Sequence, residues 1–168
     1  MTIRGFPPIA DPNAQLLILG SMPGIASLEA HQYYAHPRNA FWPIIEELWG
    51  ISRSLDYAER TAALRAAGVA VWDVLAQCRR RSSLDSDIDA ESIVVNDFTG
   101  FFRRHPQIRV VGFNGGTART LYRRHVLPVL PKKLRDVPEL QLPSTSPAHA
   151  GRTLPQKLKL WRQLRAYS

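Results

Sequence analysis

The chain has 168 residues, of which 45% are hydrophobic, and its formal net charge is +8. This length predicts a single domain over residues 1–168 that can bury a core, and the positive charge favours a polyanionic partner, nucleic acid first. The one cysteine, Cys78, excludes a disulfide framework within the chain and a multi-cysteine metal site. Because no apolar run could span a membrane and no signal-peptide core is visible, we expect a soluble cytoplasmic protein.

Short apolar runs bounded by turn residues predict buried strands at residues 16–19, 69–72, 108–113 and 140–142. Amphipathic or capped segments predict helices at residues 39–49, 57–67, 96–104, about 117–125 and 154–166. Residues 1–14, which contain three prolines, are expected to form an extended arm. Strands that alternate with helices predict a three-layer α/β/α domain with a central four-stranded parallel sheet.

Segments that contain polar residues follow the predicted strands: GSMPG with Met22, WDV with Asp73, FNGG with Asn114 and PSTSPAHAG with Ser144. The carboxyl ends of parallel strands meet at one edge of a sheet, so we expect these residues to lie close together. The alternative is that these loops are polar only because loops are exposed. The small, aromatic and amide residues that follow the first strand predict a pocket for a flat polar ring at this edge.

Three further patterns bear on binding. The basic run Arg79, Arg80 and Arg81 is typical of a solvated surface, although near the strand ends it could hold phosphate. The glycines after Asn114 open a helix whose backbone amides could bind an anion, but they do not form a dinucleotide fingerprint. The histidines lack metal-ligand spacing, so we expect neither a metal nor another cofactor.

The first loop and the helix start after it resemble the first motif of the uracil-DNA glycosylase superfamily, in its mismatch-specific uracil/thymine branch. In that branch a G-x-x-P-G loop is followed by an aromatic residue, an A-H-P turn and N-x-F-W. Ten positions match: Gly20, Pro23, Gly24, Tyr34, Ala35, His36, Pro37, Asn39, Phe41 and Trp42. The loop from Ser144 to Ala150 is similar to the second motif, and the resemblance covers residues 16–161.

One departure refines this resemblance. The third residue of the first loop is a water-activating asparagine in the mismatch-specific branch and is Met22 here, and a thioether cannot take a proton from water. The pattern is similar to the hypoxanthine-DNA glycosylase branch, which relies on the asparagine of the later element, Asn39 here. From the residues alone Asn39 is also explained as a helix N-cap, and one loop asparagine can serve both purposes.

The resemblance implies a monofunctional DNA glycosylase that flips a deaminated base, hypoxanthine first, out of DNA and removes it hydrolytically. It implies that Asn39 is catalytic and that Tyr34 stacks on the base. Related enzymes fill the gap in the duplex with a bulky side chain, and here either His149 takes that role, which we favour, or the enzyme relies on base pairs that open easily. The full set of implied base-binding residues is Ser21, Met22, Tyr34, Phe41, Asp73, Asn114 and Ser144, and the implied DNA-binding residues are Ser146, His149 and Arg152. The partner would be DNA containing deaminated bases. We expect the protein to be a monomer and not to bind a membrane.

Other interpretations stay open. Uracil could be the main substrate. A nucleic-acid-binding module without catalysis is favoured by Met22, whereas Asn39 and Tyr34 argue against it. A small-nucleotide hydrolase would not need the basic charge. Individually, Asp73 could merely cap a neighbouring loop, and His149 could be a solvated turn residue.

Overall fold

The computed structural model describes residues 2–168. Its strands and helices, in chain order, are β1 (Thr2–Arg4), β2 (Leu16–Gly20), α1 (Ile25–Ala30), α2 (Phe41–Trp49), α3 (Tyr57–Ala66), β3 (Val69–Asp73), β4 (Leu75–Arg79), β5 (Val94–Val95), α4 (Phe98–Arg104), β6 (Val110–Asn114), α5 (Gly116–Leu121), β7 (Glu139–Leu142) and α6 (Leu154–Trp161). Short 3-10 turns lie between several of them, and a π-helical turn follows α5 at Tyr122–Val126.

The main sheet has the strand order β3-β2-β6-β7, and all its neighbours are parallel. Every residue of β2 and β3 is buried, as expected for strands covered on both faces. The register places Gly20 beside Asp73 and Asn114 beside Leu142, so the polar strand ends are level with one another. The predicted four-stranded parallel sheet and three-layer α/β/α architecture are confirmed.

The sheet separates two hydrophobic cores because successive strand residues face opposite sides. Leu17 and Leu19 of β2 pack with α4 and α5, and Met22 belongs to the same cluster, which we call the α4–α5 core. Leu16 and Ile18 pack with α2, α3 and α6 in a cluster that we call the α2–α6 core. Each core therefore reaches the edge of the sheet where the polar strand ends lie.

A second sheet, antiparallel and ordered β1-β4-β5, was not predicted from the sequence. The expected N-terminal arm is held in it, since Thr2 to Arg4 pair with Arg79 to Gln77. Only Val74 separates β3 from β4, and the backbone amides of Val74 and Leu75 donate to the carbonyls of Gly20 and Ser21 at 2.9 and 3.1 Å. After β3 the chain thus leaves the main sheet beside the loop from Gly20 to Gly24, which we call the first-motif loop.

Side chains of the basic run at residues 79–81 alternate between exposed and buried because β4 and the residues after it keep the two-residue period of a strand. Arg79 is exposed and pairs with Asp89, with 2.6 Å between Nη2 and Oδ2. Arg80 is only 6% exposed, and its Nη2 donates to the carbonyl of Pro23 at 2.5 Å. The prediction of a solvated run is therefore wrong for Arg80. Its buried side chain holds the first-motif loop through the carbonyl of Pro23.

The helix bounds differ from the predicted ones mainly at the ends. Helix α2 begins at Phe41 with Ala40 as its N-cap, not with Asn39. Helix α6 stops at Trp161 and continues as a 3-10 helix to Tyr167, and a capping box at Thr153 and Gln156 fixes its start. Among residues 2–168, no helix is both long and apolar enough to cross a membrane.

Gly115, just after β6, should be intolerant of a side chain. Its φ of 97° and ψ of 163° lie in a region that essentially only glycine occupies, and an added Cβ would lie 3.2 Å from Cβ of Ser144. We expect Gly115→Ala to lower the free energy of unfolding by about 1–3 kcal/mol in urea denaturation. Gly116→Ala is the matched control, since a Cβ there meets nothing within 4 Å and alanine favours the helix. Equal losses in the two variants would contradict this account.

Candidate active site

A cavity of about 290 Å³ lies at the carboxyl ends of the main sheet, near the lower end of volumes typical of small-molecule sites. Since β3 lies on one side of β2 and β6 on the other, this is the point where successive crossovers diverge, which is where open α/β sheets bind ligands. Nine of the predicted site residues line it: Ser21, Met22, Tyr34, Asn39, Asp73, Asn114, Ser144, Ser146 and His149.

Phe41 and Arg152, also expected at the site, do not line the cavity. Phe41 is completely buried, and its ring stacks on Tyr34 with centroids 4.0 Å apart and an interplanar angle of 20°. Phe41 therefore packs behind the ring of Tyr34 and is not part of the cavity wall. Arg152 is exposed and lies two residues after the end of the second-motif loop.

Tyr34 occupies an unusual conformation. Its φ of 56° is in the left-handed region, which is rare for an aromatic residue and costs energy that functional sites often carry. Its hydroxyl is buried and has no hydrogen-bond partner among the described residues. Burial, and secondarily the charge of Asp73, raises the pKa of Tyr34 above its usual value, so the hydroxyl stays neutral.

Asp73 is the most perturbed acid in the cavity wall. It is 4% exposed, and Oδ2 has no hydrogen-bond partner within residues 2–168. Burial raises the pKa of Asp73 to about 7, the negative charge of Asp85 adds to the rise, and Arg80 partly opposes it. An unsatisfied carboxyl of this kind can bind a polar group of a ligand, as donor or as acceptor according to its protonation.

Gly20 allows Asp73 and Tyr34 to meet at the end of β2. A Cβ built on Gly20 would lie 2.5 Å from Oδ1 of Asp73 and 3.1 Å from the hydroxyl of Tyr34. The first glycine of the motif is thus required by the space that these two polar groups occupy.

Asn39 lines the cavity with one end of its amide already engaged. Its Oδ1 accepts a hydrogen bond from the backbone amide of Phe41 at 2.9 Å. Phe41 is the first residue of α2, whereas an N-cap side chain accepts from the amide of the second or third helical residue. Its own backbone amide donates to the carbonyl of His36 at 2.9 Å, which fixes the turn. The expectation that Asn39 serves both the helix start and the site is compatible with this geometry, which leaves Nδ2 available as a donor.

Asn114, in contrast, uses its amide within the protein. Nδ2 donates to Oγ1 of Thr145 and Oδ1 accepts from the backbone amide of Thr145, both at 2.9 Å. Thr145 is 1% exposed, and its carbonyl accepts from the backbone amide of Ala40 at 2.9 Å. Asn114 therefore joins the second-motif loop to the end of β6, and through that loop to the start of α2.

The second-motif loop carries His149 on an exposed but tethered turn. The backbone amide of His149 donates to the carbonyl of Ser146 at 3.0 Å, and its carbonyl accepts from Nζ of Lys157 at 2.9 Å. Lys157 is 6% exposed, and desolvation lowers its pKa. The backbone of the turn is thus fixed independently of the imidazole.

The loop after β4, which was not predicted to belong to the site, also forms part of the cavity wall. Ser83, Leu84 and Asp85 line it, and Oγ of Ser21 donates to Oδ1 of Asp85 at 2.6 Å. The sequence marks this region only as an acidic loop, with no spacing that connects it to either motif. No group of three or more potential metal-binding side chains occurs among residues 2–168.

Comparison with known families agrees with this geometry. The profile described as the uracil DNA glycosylase superfamily matches residues 7–165. The chain belongs to this superfamily. The family expected from the first motif is thereby confirmed.

Individual members of the superfamily are also similar. The protein named hypoxanthine DNA glycosylase of Methanosarcina barkeri is 39% identical over 116 residues, which are 68% of this chain and 72% of that protein. The protein of the same name from Methanosarcina acetivorans is 37% identical over 119 residues, 70% of this chain and 74% of its own length. The solution structure of a candidate uracil DNA glycosylase from Methanosarcina acetivorans superposes with a TM-score of 0.79 at 30% identity, covering 98% of this chain and 99% of that one.

The raised pKa of Asp73 should appear in the stability of this superfamily member. Between about pH 4 and pH 7, native Asp73 keeps a proton that the unfolded chain has released, so its contribution to the free energy of unfolding falls as pH rises. Asp73→Asn removes that titration. Urea denaturation should show the variant gaining stability relative to the parent from about pH 4 to about pH 8. Parallel stability curves for parent and variant would contradict a buried, proton-holding Asp73.

Proposed function

We propose that this protein is a monofunctional DNA glycosylase of base excision repair whose main substrate is hypoxanthine in DNA. The name shared by the two Methanosarcina relatives supports the substrate, and the formal net charge of +8 supports a DNA partner. The observation that carries the proposal is a cavity with an unsatisfied, buried carboxyl at its wall. The protein would act on DNA as a monomer in the cytoplasm, where its single free thiol, Cys78, suits reducing conditions.

Recognition follows from what deamination does to adenine. Ring atom N1, an acceptor in adenine, becomes an N–H donor in hypoxanthine, and the amino group at C6 becomes a carbonyl acceptor. Asp73 supplies an acceptor for that N–H when ionised, and both an acceptor and a donor when protonated. A buried polar group discriminates strongly because the wrong partner leaves it unpaired.

The flipped base would stack on Tyr34, which Phe41 holds in position from its opposite side. Because the Tyr34 hydroxyl is buried beside Asp73, the ring would stay in place when the base enters. Ser21, Met22, Asn114 and Ser144 shape the remaining wall, and Asn114 does so chiefly by holding the second-motif loop. Ser146 on that loop and Arg152 just after it would contact the DNA backbone.

Cleavage would break the bond between C1′ and N9 with positive charge developing on the sugar. Because Oδ1 of Asn39 is bound to the backbone, Nδ2 is the group it can offer, and it would donate to the departing base. An amide donor acts by orienting and stabilising the leaving group and not by taking a proton. No lysine lies in either motif, so water and not an amine would attack the sugar.

An incision assay tests the proposal. Purified protein is incubated with matched oligonucleotides bearing one inosine, uracil or xanthine, and abasic sites are cleaved by alkali afterwards. We expect inosine to be processed fastest, with strands intact until alkali is added. Faster processing of uracil would make uracil the main substrate, and DNA binding without any base release would indicate a non-catalytic module.

Replacing Asn39 separates its two roles. Asn39→Ala should lower the single-turnover rate on inosine by about 10²–10³ while DNA binding is kept, because one positioned polar group is lost. Asn39→Asp keeps an acceptor for the amide of Phe41 but lacks the Nδ2 donor. It should retain the parent's thermal stability and still be as slow as the alanine variant. Excision by Asn39→Asp at the parent rate would exclude the donor role.

His149 should matter only where a duplex must be held open. Since the turn is held through backbone atoms of His149, His149→Ala removes the imidazole alone. We expect excision of inosine to fall about tenfold or more in duplex DNA and to stay at the parent level in single-stranded DNA. Equal loss on both substrates would assign His149 to the chemistry in the cavity, and no loss on either would leave it a turn residue.

A further inference from the structure

The cavity rim holds a carboxylate that belongs to neither sequence motif. Asp85, at the start of a 3-10 turn, lines the cavity and accepts a hydrogen bond from Oγ of Ser21 at 2.6 Å. Ser21 immediately precedes Met22, the position at which the first motif lacks a polar side chain. A carboxylate from a loop 64 residues away is therefore brought next to this gap in the motif.

Two further contacts fix the loop that carries Asp85. Oγ of Ser83 accepts from the backbone amide of Ile25 at 2.8 Å. Arg80, which is buried, donates to the carbonyl of Pro23. Together with the bond from Ser21, these contacts bind the loop to the first motif along its length. Asp85 is thus held at the rim by bonds on both sides of Met22.

The reaction needs a negative charge that the other groups in the cavity supply poorly. Positive charge develops on the sugar as the glycosidic bond breaks, and carboxylates stabilise it in other glycoside-cleaving enzymes. Burial of Asp73 favours its neutral form, since its pKa is raised to about 7, and the charge of Asp85 contributes to that rise. Asp85 is half-exposed, whereas Asp73 is 4% exposed. Two nearby carboxyl groups in different surroundings can take different catalytic roles.

We propose that Asp85 is a catalytic carboxylate, which stabilises the oxocarbenium-like sugar and accepts the proton of the attacking water. This inference rests on the proposed glycosylase activity. The bond between C1′ and N9 breaks with its electron pair leaving on the base, and the water oxygen forms the new bond to C1′. The water proton passes to Asp85 and then to solvent, and the departing base takes up a proton from solvent.

Asp85→Asn tests the charge while keeping an acceptor for Ser21. Asp87→Asn is the matched control, because Asp87 lies in the same turn two residues later and does not line the cavity. Like Asp85, Asp87 accepts a hydrogen bond from a serine hydroxyl, that of Ser82, at 2.5 Å. Ser21→Ala removes the hydrogen bond without removing the carboxylate. Single-turnover rates are measured on an inosine duplex, and affinity is measured by fluorescence anisotropy on the same duplex with cleavage-resistant 2′-fluoro-2′-deoxyinosine.

We expect Asp85→Asn to slow base release by about 10²–10³, with affinity unchanged or tighter because a negative charge near phosphates is lost. Asp87→Asn should stay within about tenfold of the parent rate, whereas Ser21→Ala, which alters the cavity wall but keeps the carboxylate, should slow base release less than Asp85→Asn does. Asp85→Asn at the parent rate would overturn the proposal, as would equal slowing of Asp85→Asn and Ser21→Ala, which would make Asp85 a support for the loop. Failure of the parent to release any base would contradict the glycosylase activity itself, and this is a different result from a change between variants.

Discussion

At Gly20, the last residue of the central strand, the space that a side chain would fill is taken by two polar groups from other parts of the chain. Oδ1 of Asp73 and the hydroxyl of Tyr34 both approach the position of the missing Cβ, one from the neighbouring strand and one from the loop before α2. The parallel register of β2 and β3 places Asp73 directly beside Gly20. The stacking wall and the carboxyl wall of the cavity therefore meet only because this strand ends without a side chain.

Most of the fold could be predicted from residue patterns, since buried strands and amphipathic helices leave strong signals. Convergence at the sheet edge was also predictable, because it follows from parallel strands alone, and nine of the candidate residues do line the cavity. What could not be predicted was the antiparallel sheet of β1, β4 and β5. Its strands are only two to five residues long, which is too short for a clear alternation of apolar and polar residues, and β4 ends in the basic run at Arg79.

Side-chain roles were harder to predict than positions because they depend on which hydrogen bonds are already made. Asn114 and Asp73 both end a strand and both line the cavity, yet the amide of Asn114 is bound to Thr145 whereas Oδ2 of Asp73 is unpaired. Nothing in the local sequence distinguishes them. Likewise, Asp85 reaches the first motif through a contact across 64 residues, which no local spacing encodes.

The cavity lies at the boundary between the two hydrophobic cores, and this affects how its preference can evolve. Phe41, which supports the stacking side, belongs to the α2–α6 core, whereas Met22 belongs to the α4–α5 core on the other face of the sheet. Because β2 and its neighbours lie between these cores, Phe41 and Met22 share no packing cluster, so substitutions at the two positions should have additive effects on the free energy of unfolding. A lineage can therefore change the residues packed behind Tyr34 without repacking the side of the cavity that Met22 forms, so the two sides are open to separate selection.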